Sequence, residues 1–175
     1  DCITDEQYDA SVQWMFKENK IHFFRHWGSI NPDTLKTKMM YFAKALGVDF
    51  IVLDHVSMVI AGTETDNERK DIDKLYEAMT QICVETGVGI ISIIHLKRVA
   101  GKKLNKGDEV ELTDLRGSAG AEQMSFNVWA LERNQQGEDG EKDLSRIRVL
   151  KNRSLGFTGL ADTLKYNHQT GRLEL

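Results

Sequence analysis

Residues 49–62 read DFIVLDHVSMVIAG: an apolar run stops on Asp54, continues with His55 and turns apolar again. An uninterrupted apolar run, without the alternation of a half-solvated strand, predicts a strand over 49–54 that is covered on both faces. Residues 88–95, VGIISIIH, repeat the design, and the polar stop, His95, is again at the C-terminal end. Between them, 67–86 shows helical spacing through Ile72, Leu75, Met79, Ile82 and Cys83. Strand, helix, strand is a crossover unit. It predicts parallel pairing, a right-handed connection and a ligand side at the carboxyl ends of the strands.

Upstream, Tyr8, Val12, Met15 and Phe16 recur at helical spacing between residues 4 and 20, with Thr4 as N-cap and Asp5 and Glu6 at the positive helix end. IHFFRHW, 21–27, reads as a short strand. Residues 31–47 form the clearest helix, with Pro32 in its first turn, Leu35, Met39, Phe42 and Leu46 on one face, and Gly47 as its stop. Downstream, FNVWALER (126–133) is a third apolar run. LSRIRVLKNR (144–153), LADTLKYN (160–167) and GRLEL (171–175) follow with no helix between them, the last two as a hairpin around 167–171. The fold class is α/β: a mixed sheet with parallel core strands, flanking helices and an antiparallel C-terminal extension.

The 175 residues make one domain by length, large enough for a core without staples. A net charge of -4 gives no global attraction for nucleic acid, so any phosphate contact must be local. Cys2 and Cys83 form neither a disulfide framework nor a zinc pattern, which favours a reducing compartment. No apolar stretch reaches spanning length and the N-terminus is not signal-like, so no membrane association is expected. The chain begins DCITDEQYDA, which suits an excised fragment as well as a processed protein.

Asp54 and His95, each ending an apolar strand, are expected side by side above the sheet. A carboxylate there can hold a water of a triphosphate-bound magnesium ion, because magnesium prefers oxygen ligands and keeps much of its water shell. A neighbouring histidine can bond the terminal phosphate. The plainer alternative is that each caps its strand. Lys97, Arg98, Lys102, Lys103 and Lys106 form a local positive run directly after His95, a candidate contact for a phosphate backbone or a solvated loop. Lys151 and Arg153 alternate along RVLKNR and point to one side, where an arginine fork can bond two phosphate oxygens or simply face solvent. No GxxxxGK[ST] loop occurs; Gly101-Lys102 has Leu96 where its first glycine should stand.

FIVLDHVS, ISIIHLK, TDLRGSAGAEQMS, WALERNQQG, RVLKNR and YNHQTGRLE, in this order and spacing, closely resemble the C-terminal part of the RecA-like motor of DnaB-like replicative helicases, notably phage primase-helicases and the mitochondrial helicase Twinkle. The resemblance runs from about residue 40 to the end. It implies a homo-hexameric ring that hydrolyses ATP or dTTP with Mg2+ between subunits and draws single-stranded DNA through its channel, alongside polymerase and primase. By that resemblance Asp54 serves the magnesium through water, His95 senses phosphate, Gln123 is a second sensor, and Arg153, with Lys151 beside it, is an arginine finger for the neighbour's nucleotide. Arg133 and Tyr166 resemble a pair sandwiching the base. The loops after Asp54, His95 and Arg133 correspond to DNA-facing loops, with Lys97, Arg98, Lys102, Lys103, Lys106, Asn134 and Gln135 as the candidate contacts.

Two departures stand out. Glu122 occupies a position where close phage relatives often carry a basic residue, and the Walker A loop and the strand bearing the catalytic glutamate are absent. Residues 1–175 therefore read as a single partial RecA-like helicase motor domain whose N-terminal part lies upstream of Asp1. Alone, it is expected neither to hydrolyse ATP nor to form a ring. A bacterial or phage-infected cytoplasm is the expected location, ahead of the mitochondrial matrix. The competing readings are a RecA-like recombinase or ATPase module, and a catalytically dead RecA-like domain that binds DNA or protein.

Overall fold

Thr4 opens the first helix by a reciprocal cap: its Oγ1 accepts from Gln7 N at 3.3 Å while Gln7 Oε1 accepts from Thr4 N at 3.0 Å. The structure, a computed structural model, describes residues 3–17, 21–26, 30–61, 67–97, 101–116 and 119–175. Helix α1 is Asp5–Lys17, and none of its residues is buried. Residues 21–26 are not a strand, contrary to the sequence expectation. Their aromatic rings pack locally instead: Phe23 meets Phe16 at 5.9 Å between centroids, and Lys38 lies 5.7 Å over the Phe24 ring. An aromatic run becomes a strand only where another strand completes its hydrogen bonds.

Helix α2, Pro32–Lys44, starts as expected, with Asn31 Oδ1 accepting from Asp33 N at 2.8 Å and proline in the first turn. Strand β1, Phe50–Leu53, pairs in parallel with β2, Gly89–Ser92, with Val52 opposite Ile91 and Leu53 opposite Ser92. Beyond Asp54, VSMVI folds as helix α3, Val56–Ile60, because Val56, Val59 and Ile60 share one face and are all buried; the rest of the expected loop, 62–66, lies outside the described residues. Helix α4, Glu68–Thr86, makes the crossover and ends at Gly87, whose φ of 77° is the left-handed closure that glycine adopts without steric cost.

The core joins α2, α3 and α4 to one face of the parallel pair through Leu35, Met39, Val56, Ile72, Met79 and Ile82, while the Tyr76 hydroxyl lies 3.1 Å from Ser92 Oγ. The expectation of cover on both faces is corrected here. Phe50 and Val52 remain 67% and 64% exposed, because the described helices lie against Ile51 and Leu53 on the other side.

Leu112 and the first residues of TDLRGSAGAEQMS form a 3-10 turn at Leu112–Asp114, and the end of that segment forms helix α5, Ala119–Met124, whose Ala121 enters the core. Strands β3 (Asn127–Glu132), β4 (Leu144–Asn152), β5 (Gly159–Asn167) and β6 (Arg172–Glu174) form an antiparallel sheet in that order, with the hairpin at 167–171 as expected. The α/β class with parallel and antiparallel parts thus holds, the two parts being hydrogen-bonded as separate sheets among the described residues.

Candidate functional site

Past the ends of β1 and β2 the parallel ladder continues, with Ile93 N donating to Leu53 O and Val56 N to Ile93 O, each at 2.9 Å. Asp54 and His95 therefore both emerge at the carboxyl ends of adjacent parallel strands, and both are exposed. The ring that touches His95 is that of His55, edge to face at 4.3 Å between centroids. His55 Nδ1 is buried and has no hydrogen-bond partner among the described residues. Among those residues Asp54 has no ion-pair partner, and no group of three or more His, Cys, Asp or Glu is placed to hold a metal ion. A single exposed carboxylate suits a cation held through water and completed by a ligand's own oxygens. Beyond His95 the chain is fastened by Arg116 N donating to His95 O at 2.9 Å and Lys97 N to Asp114 O at 2.8 Å.

The end of β4 gathers three of the anticipated residues. Lys151 Nζ donates to the main-chain oxygens of Glu122 and Gln123, and the Arg153 guanidinium donates to Gln123 O while lying 4.9 Å over the Phe126 ring. Alternation along the strand does put both cations on one side. There they satisfy carbonyls of the last turn of α5, groups that a helix leaves unpaired.

Arg133 and Tyr166 sit on β3's end and on β5, with β4 between those strands. Arg133 Nε donates to Lys142 O at 2.6 Å and Tyr166 N to Asp143 O at 2.8 Å, so both are fastened to one short segment. The Tyr166 ring meets His168 edge to face at 5.0 Å, and His168 Nε2 lies 2.9 Å from Asp143 Oδ1.

The basic loop divides its cations between structure and surface. Lys97, Lys103 and Lys106 are exposed. Lys102 turns inward: its ammonium lies 2.8 Å from Asp114 Oδ2 and 3.2 Å from Glu111 Oε1. The Asp114 side chain is only 3% exposed and also accepts from Glu111 N at 2.8 Å. Burial pushes the Asp114 carboxyl up, but the hydrogen bonds from Lys102 and the Glu111 amide outweigh it and hold the group below its ordinary range. The Lys102 ammonium is correspondingly raised, chiefly by Asp114. Arg98 lies outside the described residues.

The loop after Arg133 is docked on the basic loop. Lys106 and Asn134 form an antiparallel bridge, and Gln135 N donates to Asn105 O at 3.1 Å. Gly107, with φ 92°, permits this approach: a Cβ there would stand 3.2 Å from the Asn134 Cβ. Asn134 acts partly as an internal brace, donating to Glu141 Oε1 at 3.1 Å and accepting from Gln136 N at 3.2 Å; Gln135 is exposed.

Sequence reasoning missed Glu132. It accepts from Val110 N at 2.9 Å and Arg148 Nε at 2.6 Å, and Arg148 also reaches Glu109 at 2.8 Å. The available signal was positional: period 2 along NVWALE puts Glu132 on the inward face with Ala130.

A family model described as DnaB-like helicase C terminal domain matches residues 4–174. A DNA helicase/primase of Enterobacteria phage T3 is 40% identical over 171 residues, covering 97% of this chain and 30% of that relative, so the chain spans under a third of the relative's length. Two solved structures share the fold at lower identity. A DnaB-like replicative helicase, solved with attention to its interactions with primase, gives a TM-score of 0.76 at 18% identity over 99% of this chain and 42% of that one. A second structure, of an ATPase domain, gives 0.68 at 19% identity over 83% of this chain and 51% of that one. With the family model spanning nearly every residue and a phage relative alike along almost the whole chain, this protein belongs to the DnaB-like helicase C-terminal domain family.

Proposed function

We propose that this chain is part of a nucleoside-triphosphate-driven DNA helicase motor that works as a hexamer on single-stranded DNA, beside a primase and a polymerase, in a bacterial or phage-infected cytoplasm. The observation that carries the reading is the emergence of Asp54 and His95 at the carboxyl ends of two adjacent parallel strands. In an open α/β sheet that is where ligands bind. Asp54 would hold a magnesium ion through water, the ion supplying charge neutralisation at the phosphates of ATP or dTTP. His95, braced by the His55 ring, bonds the terminal phosphate. Gln123 contributes a second polar contact there. Arg153, with Lys151, serves the nucleotide of a neighbouring subunit; to do so its guanidinium exchanges the Gln123 carbonyl for phosphate oxygens. Arg133 and Tyr166 flank the base, and Lys97, Lys103, Lys106 and Gln135 meet the DNA backbone.

One observation favours a second reading, a catalytically inert module that binds single-stranded DNA: Lys97, Lys103 and Lys106 are exposed on a basic loop, an arrangement that binds phosphates without turnover. Hydrolysis of ATP and dTTP by the intact protein separates the two. Magnesium-dependent turnover stimulated by single-stranded DNA and lost in Asp54→Asn supports the motor. DNA binding without turnover supports the inert module.

A further inference from the structure

The Glu132 carboxylate is 1% exposed, and its Oε2 is buried with no partner among the described residues. Removing a carboxylate and a guanidinium from water is costly unless every lone pair and proton is used, and an apolar pair of similar volume is often as stable. With one oxygen left over, stability alone is a poor reason for the Glu132–Arg148 pair. Its geometry supplies a better one. Glu132 Oε1 captures the Val110 amide and Arg148 captures the Glu109 carboxylate, so the pair grips consecutive residues on the returning limb of the basic loop. At the loop's other flank, the Lys106–Asn134 bridge and the Gln135 N to Asn105 O bond dock it on the turn after Arg133. Arg148 also shares strand β4 with Lys151, at whose end Arg153 stands, so one extended segment carries both the grip and the cations assigned to nucleotide.

We propose that Glu132 and Arg148 are positioning residues for DNA engagement: their buried pair locks segment 101–110 against turn 134–137, so that Lys103 and Lys106 present a fixed spacing to the phosphate backbone of a single strand. This inference rests on the DNA-binding reading above. Two acidic residues, Glu132 and Glu109, thereby strengthen binding to a polyanion, a sign opposite to that expected from their charge.

The test measures oligothymidylate binding across a salt series, with basal and DNA-stimulated hydrolysis, in the intact protein. Lys103→Ala/Lys106→Ala is expected to weaken binding and flatten the salt slope by about 1.4, roughly 0.7 for each single-strand phosphate contact. Glu132→Gln is expected to raise the DNA concentration for half-stimulation about tenfold, the worth of one charge-assisted hydrogen bond, while basal turnover stays unchanged. Glu109→Gln, on a side chain 71% exposed, leaves the core untouched and is expected to weaken binding about twofold. If Glu132→Gln does not fold, Glu109→Gln decides. Unchanged or tighter binding in the acidic variants, with the lysine variant weakened, overturns the positioning role alone. An unchanged lysine variant overturns the DNA reading of this loop and the inference with it.

Discussion

Arg153 and Gln123 are joined through main chain rather than side chain: the guanidinium donates to the Gln123 carbonyl oxygen, which Lys151 also reaches at 3.4 Å. Two cations thus share one helix-end carbonyl. Arg153→Ala in the intact protein is expected to lower hydrolysis by about 10³-fold or more, the range for an arginine acting on transferred phosphoryl charge. Nucleotide affinity is expected to stay within about twofold if, as proposed, the residue serves the neighbour's site. Steady-state turnover and a fluorescent-nucleotide titration check both parts; unchanged turnover removes the finger assignment.

Asp54→Asn keeps the shape of the strand end but removes the charge proposed to hold a hydrated cation. Nucleotide binding measured with magnesium is expected to weaken, and binding measured in chelator to stay the same. Equal weakening in both would mean that Asp54 acts on the fold or the nucleotide directly.

The Lys102–Asp114 pair makes stability depend on pH at both extremes. Asp114 has a folded pKa below its unfolded value of about 3.9, so its contribution is full above that value and is lost as pH falls through the lower, folded one. Lys102 has a raised folded pKa, so its contribution is full below about 10.4 and is lost as pH rises through the higher, folded one. Lys102→Met is expected to make the loop open at a higher pH on the acid side. Exchange of the Lys97 amide, which donates to Asp114 O, reports it. An acid midpoint equal to wild type would show that the pair does not hold the loop.

In the same variant the salt slope of DNA binding is expected to equal that of wild type. Lys102 faces Asp114 and Glu111, so it is not counted among the phosphate contacts. A slope reduced by about 0.7 would restore Lys102 to the DNA surface.

The parallel pair, its crossover helix and the C-terminal hairpin were legible because apolar runs and helical spacing record burial directly. What covers each face was not. An uninterrupted run such as FIVL says that both faces are apolar, not which elements lie against them, and Phe50 and Val52 are exposed among the described residues. IHFFRHW read as a strand because aromatic content favours strands, yet pairing needs a partner edge and the rings found α1 and α2 instead. VSMVI signalled no element because a stretch of five residues is too short to separate helical from extended spacing. In the site, strand-end residues followed from topology. Lys102 did not, because a tally of charges along a loop cannot show a carboxylate twelve positions away turning one of them inward. Glu132 was overlooked for a related reason: a buried charge acquires a meaning only from its three-dimensional partners, here the Val110 amide and Arg148.

Strand separation by the intact protein on forked DNA, followed by fluorescence with ATP or dTTP and magnesium, bears on the motor reading without intermediate steps. Unwinding is expected to require hydrolysable nucleotide and magnesium and to disappear in Arg153→Ala. Tight single-strand binding with neither unwinding nor nucleotide turnover would contradict the motor and leave a DNA-binding module in its place.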